Sequence, residues 1–295
     1  MIEKLEYLIA LARERHFGRA AAACGVTQPT LSAGIRHLED DLGVLLVHRG
    51  SRFHGLTDEG ARALDWARRI AGDARAMRDD VRGGPAGLTG HLRLAAVPSA
   101  LPSVADLTTP YRARHPGVTF SVLSRTSAEI LALMDNLQID AALTYLDGEP
   151  LGRVRSLTLH RERYCLAIAE AEAGGFGPSV TWAEVAEVPL CLLTQDMQNR
   201  RIVDARLRAA GGGTRTSLQS NSMIVLMTHV RTGRWASVLP DVVAAAFGLP
   251  PSVRIIPIDD PEPLPTIGLI YPLRDPVTPL TAALVEIATE SISLP

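Results

Sequence analysis

The stretch FGRAAAACGVTQPTLSAGIRHLEDDLGVLLVHR, residues 17–49, decides the fold of the amino-terminal part of the chain. Phe17 to Cys24 is a short, alanine-rich helical segment, and Gly25 breaks it. A new helix opens at Thr27, whose hydroxyl suits an N-cap, with Pro29 in the first turn, where a missing N–H leaves nothing unsatisfied. Leu31, Ile35, Leu38 and Leu42 then share one face. Gly43 closes this helix, Val44 to Val47 reads as a short strand, Arg49 to Phe53 as a turn, and a second short strand runs to Leu56. Upstream, Leu5, Leu8, Ile9 and Ala12 repeat at helical spacing and stop near His16. Three helices around a tight glycine turn, followed by a hairpin, predict a winged helix-turn-helix over residues 1–57.

In that motif the third helix enters a major groove. Its first turns carry Thr27, Gln28, Pro29, Thr30 and Ser32, whose polar side chains can bond base edges or phosphates. Gln28 is the first candidate for base readout, and Arg36, further along, for a phosphate or guanine contact. Thr27 is equally explained as a plain helix cap. Arg49, Arg52 and His54 sit on the hairpin and would meet the backbone or minor groove, unless that hairpin is only a solvated loop. Residues 1–57 hold Lys4 and six arginines against six acids, so binding per copy should be modest and several copies must act together.

Thr57, with Asp58 and Glu59 behind it, starts a long helix over 58–81. Leu64, Ala67, Ala71 and Ala74 follow a three-four spacing, and Trp66, Ile70 and Met77 form a second apolar row beside them. So wide a stripe calls for a partner helix and predicts a dimerisation element; the plainer alternative is that Trp66 and Ile70 cover their own domain. RGGPAGLTG, residues 82–90, reads as a hinge. Beyond it, strands alternate with helical patterns through 91–295, the rhythm of α/β architecture. Two lobes are expected, one formed by about 91–160 and 266–295 and the other by about 161–265, with Leu157 to Ala169 as one longer strand or crossover.

Composition narrows the function. At 295 residues, 46% hydrophobic and 21% charged, the chain has the make-up of a folded, two-domain globular protein. Its formal net charge of -2 excludes a global positive field, so a nucleic-acid site must be local. Cys24, Cys165 and Cys191 are too far apart and too few for a disulfide framework, which points to a reducing, cytoplasmic setting. No signal-peptide pattern opens the sequence, and no apolar run is long enough to span a bilayer, so no membrane partner is expected. His115, His160 and His229 form no ligand cluster, Gly211 to Gly213 lacks a phosphate-loop signature, and neither metal nor cofactor is expected.

The set running from Arg19-Ala20-Ala21 through Val26-Thr27-Gln28-Pro29, Leu31-Ser32, Ile35, Leu38-Glu39 and Leu42-Gly43 to Arg49 resembles the DNA-binding domain of LysR-type transcriptional regulators. The wording LIALARERHFGRAA (8–21) and RGSRFHGLT (49–57) is similar to the subgroup encoded beside formate dehydrogenase operons. The resemblance implies linker helices paired into a homodimer or homotetramer, double-stranded promoter DNA and RNA polymerase as partners, and an effector domain similar to type 2 periplasmic binding proteins. In such a domain the ligand lies between the lobes, at strand ends and helix N-termini. On this reading Ser99, Ala100, Thr126, Ser127, Thr194, Gln195, Asn221 and Ser222 would line a cleft for a small polar or anionic molecule, such as a small carboxylate. Each hydroxyl taken alone is a plain helix cap. Some regulators of this type respond to peroxide through a cysteine pair, but Cys165 and Cys191 lie in apolar strand patterns that suit inert thiols. The rival reading is a small-molecule binding protein or an enzyme on the same bilobal scaffold. No nucleophile triad or paired carboxylate supports catalysis.

Overall fold

A computed structural model describes residues 1–48, 53–82, 87–213, 216–248 and 250–293. The chain forms two compact units, Met1–Gly90 and His91–Pro295.

The first unit contains α1 (Ile2–Glu14), α2 (Phe17–Ala23), α3 (Gln28–Leu42) and α4 (Asp58–Arg82). Gly25, at φ 68°, makes the turn between α2 and α3, and Gly43, at φ 69°, ends α3; both conformations are strained for any side chain with a Cβ. Leu8, Leu11, Ala20, Leu31, Ile35, Leu38 and Leu46 form the core, so the apolar faces of the three short helices meet as their spacing dictates. Among the described residues of the wing, the two short strands expected from the sequence are represented by one antiparallel bridge, Val47 with Leu56. What holds this segment is Glu39, whose Oε1 accepts the backbone N–H groups of Leu46 at 2.8 Å and Val47 at 3.1 Å. Arg49 and Arg52 lie outside the described residues.

Thr57 caps α4 by accepting the Gly60 N–H at 2.9 Å. The stripe proposed for dimerisation divides here. Leu64 and Ala67 are buried in the core of their own unit, because α4 packs along α1, and they are corrected from partner contacts to intradomain ones. Ala71 and Ala74 are buried too, whereas Trp66 is 62% exposed, Met77 60%, and Ile70 is exposed.

In the second unit the strands are β1 (Thr89–Ala96), β2 (Gly117–Ser124), β3 (Ala141–Tyr145), β4 (Val154–Arg161), β5 (Tyr164–Ala169), β6 (Val180–Thr181), β7 (Leu190–Leu193), β8 (Thr216–Ser220), β9 (Ser237–Pro240), β10 (Val253–Asp259) and β11 (Thr266–Pro272). The helices are α5 (Ser103–Arg114), α6 (Ser127–Asp135), α7 (Trp182–Glu187), α8 (Gln198–Ala209), α9 (Met223–Val230), α10 (Asp241–Phe247) and α11 (Pro279–Ser293). One sheet has the order β2-β1-β3-β11-β4, with β1 and β3 parallel and β11 antiparallel to both neighbours. A second has the order β6-β10-β5-β9, beside the parallel pair β7-β8. Strands β3, β5 and β7 are buried along their whole length, which explains their unbroken apolar runs.

Leu157 to Ala169 is two strands and not one. Between β4 of the first sheet and β5 of the second, Glu162 and Arg163 carry the chain across, and the segment before β11 carries it back. Among the described residues no helix is long and apolar enough to cross a membrane.

Candidate functional site

At the start of α3, Thr27, Gln28, Pro29 and Thr30 are exposed, Ser32 is half-buried, and Arg36 is exposed further along the helix. Thr27 Oγ1 accepts the Thr30 N–H at 3.4 Å and lies 2.8 Å from Thr30 Oγ1, so these two hydroxyls serve the helix start. The side chains of Gln28 and Arg36 make no hydrogen bond among the described residues, which leaves an amide with both donor and acceptor, and a guanidinium, for an outside partner. His54 is exposed near the bridge.

In the second unit a cleft of about 650 Å³ lies between the two sheet systems. Pro98, Leu101, Pro102, Ser124, Arg125, Thr126 and Glu129 line it from the side of the first sheet, and Asp196, Met197, Asn221, Ser222, Met223, Ile224, Val243, Ala246 and Phe247 from the other. The volume is that of a pocket for a metabolite-sized organic molecule.

Three expected residues, Thr126, Asn221 and Ser222, are therefore brought together, and five are not. Ser99 is fully buried behind the wall, 2.9 Å from the Tyr145 hydroxyl, and Ala100 is buried beside it. Ser127 turns inward and donates to Gln198 Oε1 at 2.9 Å. The Thr194 hydroxyl is enclosed, and Gln195, though exposed, does not reach the lining. Arg125 and Asp196 are additions, each directly beside an expected residue. A basic residue just ahead of a T-x-x-E helix start at a strand end was the available signal for Arg125.

Thr126 and Glu129 close a capping box at the start of α6: Glu129 Oε2 accepts the Thr126 N–H at 2.9 Å, and Thr126 Oγ1 accepts the Glu129 N–H at 3.1 Å. No side chain caps α9, so its first N–H groups remain free of side-chain partners at the cleft. Arg125 Nη1 donates to the Ser124 carbonyl at 2.7 Å and has no carboxylate partner among the described residues. Asp196 accepts from Arg201 through its backbone carbonyl at 2.8 Å, and its carboxylate has no cationic partner among the described residues.

Behind the cleft the two sheet systems are joined by buried polar contacts from the start of α8. Ser127 bonds Gln198, whose Nε2 donates to the Asp147 carbonyl at 2.6 Å. Asn199 Nδ2 donates to the Tyr145 hydroxyl at 3.3 Å and to Glu162 Oε1 at 3.4 Å, while the Tyr145 hydroxyl donates to Glu162 Oε1 at 2.6 Å. Glu162 is 0% exposed, and burial raises its pKa from 4.5 to about 7 despite these donors. Sequence reading missed this cluster, since an isolated Glu between two strands carries no pattern.

Burial pushes the Cys165 thiol up to about 12 and the Cys191 thiol up to about 11, and all three cysteines are free. Among the described residues no three His, Cys, Asp or Glu side chains are grouped to hold a metal ion.

Comparison with known proteins matches both units. Residues 2–61 fit the bacterial regulatory helix-turn-helix protein of the lysR family, and residues 85–293 fit the LysR substrate binding domain. The chain is 30% identical over 293 residues to the DNA-binding transcriptional dual regulator OxyR of Escherichia coli, covering 96% of this chain and 94% of that protein. A full-length variant of OxyR from Pseudomonas aeruginosa is similar in structure, with a TM-score of 0.74 and 25% identity over 100% of this chain and 98% of that one. Full-length CbnR in complex with its target DNA shares the fold at a TM-score of 0.65, with 24% identity over 99% of each chain. The chain belongs to the LysR family: it is a transcriptional regulator, not an enzyme, with an amino-terminal helix-turn-helix and a carboxy-terminal effector-binding domain.

Proposed function

We propose that this regulator reads promoter DNA through Gln28 and Arg36 on α3, aided by Thr27, Pro29, Thr30, Ser32 and the wing residues Arg49, Arg52 and His54. We propose further that it responds to a small carboxylate-bearing metabolite held in the cleft of its carboxy-terminal domain. Its working form on this reading is a homodimer or homotetramer built through Trp66, Ile70 and Met77, with RNA polymerase as a further partner.

The carrying observation is that Arg125 lines the cleft with no carboxylate partner among the described residues, and that the start of α9, which has no side-chain cap, lines the same cleft. A guanidinium and free helix N–H groups favour an anion, and a carboxylate matches the guanidinium fork. Formate is too small to fill a cavity of about 650 Å³ or to use its apolar wall, so a larger carboxylate is the better fit. Peroxide sensing through a thiolate is disfavoured in this chain, because Cys165 and Cys191 are buried with raised pKa values and stay protonated near neutral pH. A ligand changes the DNA complex only by binding two arrangements of the regulator unequally, and closure of the cleft supplies that difference.

Calorimetric titration of the full chain with succinate, 2-oxoglutarate, 4-methyl-2-oxopentanoate and benzoate tests the effector reading. At least one should bind, and Arg125→Gln should weaken it about tenfold or more while leaving the melting temperature in place. Binding unchanged by Arg125→Gln, or no binding by any of the four, would overturn it.

A further inference from the structure

The cleft carries charges of opposite sign from its two sides, Arg125 on one and Asp196 on the other. Arg125 follows β2 of the first sheet, and Asp196 follows β7 on the other side; both line the same cavity, and neither forms an ion pair with any described residue. Glu129 lines it as well, on the Arg125 side; one oxygen of its carboxylate accepts the Thr126 N–H, and its negative charge forms no ion pair among the described residues. The cleft is thus not a cationic trap for a polyanion. Apolar Leu101, Met197, Met223 and Phe247 share the lining with the polar Asn221 and Ser222.

We infer that the effector is zwitterionic with an apolar body: an amino acid with a hydrophobic side chain, its carboxylate on Arg125 and its ammonium on Asp196. This rests on the carboxylate reading above and adds to it the second charge and the side chain. A lone carboxylate would leave Asp196 facing the bound ligand without a cation, and a lone amine would do the same to Arg125. Each mismatch disfavours binding in a closed, water-poor cleft, where a charge without a partner loses its hydration and gains nothing. A zwitterion meets both. Because the charges come from opposite sides of the cleft, a ligand that engages both favours the closed arrangement over the open one, which is the unequal binding that regulation needs. The apolar wall sets a preference for leucine-, methionine- or phenylalanine-like side chains over serine- or aspartate-like ones.

The test is a calorimetric comparison on the full chain of three compounds that share one carbon skeleton: L-leucine, 4-methyl-2-oxopentanoate, which lacks the ammonium, and 3-methylbutylamine, which lacks the carboxylate. L-methionine and L-phenylalanine extend the series. The expected result is that at least one of the three amino acids binds about tenfold or more tighter than the oxo acid and the amine. Asp196→Asn should remove that advantage while leaving the affinity for the oxo acid unchanged or improved. Arg125→Gln should weaken the amino acid and the oxo acid alike. If the oxo acid binds as well as or better than every amino acid, the zwitterion is overturned and the carboxylate reading stands. If the amine alone binds, or none of the compounds does, the zwitterion is overturned, and the carboxylate reading is then decided by succinate, 2-oxoglutarate and benzoate in the titration above. Melting curves of both variants keep a folding defect distinguishable from a lost contact.

Discussion

A Cβ placed on Gly60 would lie 2.0 Å from the carbonyl oxygen of Leu46, because the first turn of α4 rests directly on the segment that Glu39 anchors. Backbone cannot yield as a flexible side chain can. Gly60→Ala should therefore destabilise the amino-terminal unit by about 1 to 3 kcal/mol, read as a drop in urea midpoint, even though alanine is the better helix former. At the reading end of α3 the expectation is different in kind. Gln28 has both an amide donor and acceptor free, so Gln28→Ala should cost about 1 to 3 kcal/mol on the specific operator and little on random duplex. An equal loss on both duplexes, measured by anisotropy, would reassign Gln28 to a phosphate contact. Residue-level roles were legible where a pattern surrounded them, as at Thr27 and Thr126, both of which cap helices. They were illegible where one side chain stands alone: Glu162 matters because two sheets meet over it, and nothing in its neighbours along the chain says so.

Helix α4 shows how an apolar stripe read from spacing can serve two roles. Leu64 and Ala67 fill the core of their own unit, whereas Trp66, Ile70 and Met77 remain on the surface. Periodicity fixes which residues share a face, not which neighbour covers it. The exposed row is where a second copy should pair, so Trp66→Glu combined with Met77→Glu should shift the protein to a monomer in light scattering while its far-ultraviolet circular dichroism is kept. A dimer or tetramer that survives both changes would locate the interface elsewhere. The strands tell a related story. YCLAIA and AALTY are legible as buried strands from composition, and the lobe boundary read at about 160 falls beside the crossing at Glu162 and Arg163; because apolar character continues on both sides of it, the sequence leaves one long strand and a crossover equally open there. Ser99 and Ser127 lie off the cleft lining for a physical reason: both satisfy buried partners of their own, so a hydroxyl at a strand end is a poor guide to what lines the cavity.

At the scale of the molecule, Glu162 links the two halves of the regulatory unit to pH. It receives hydrogen bonds from Tyr145 on one side and Asn199 on the other, and the groups around it, Tyr145, Tyr164, Asn199 and Ser99, include no cation. Since its pKa is raised from 4.5 to about 7, the folded state holds a proton in that interval that the unfolded state releases. The sign follows: this group's contribution is intact below about 4.5 and is lost as pH rises through 7, with a slope of up to about 1.4 kcal/mol per pH unit. Urea midpoints measured from pH 5 to 8 should fall more steeply for the natural chain than for Glu162→Gln, and the variant should be the more stable of the two at pH 8. Parallel curves would mean that Glu162 stays ionised across the range.

Recognition of a particular DNA sequence through α3 is the property on which the regulator's function depends. It is tested most directly by fluorescence anisotropy of the full chain on the DNA upstream of its own gene against a scrambled duplex of equal length, at two salt concentrations. The expected preference for the upstream DNA is about 10³-fold or more, retained at the higher salt and sharply reduced in Gln28→Ala. Equal affinity for both duplexes, falling in step as salt rises, would contradict it.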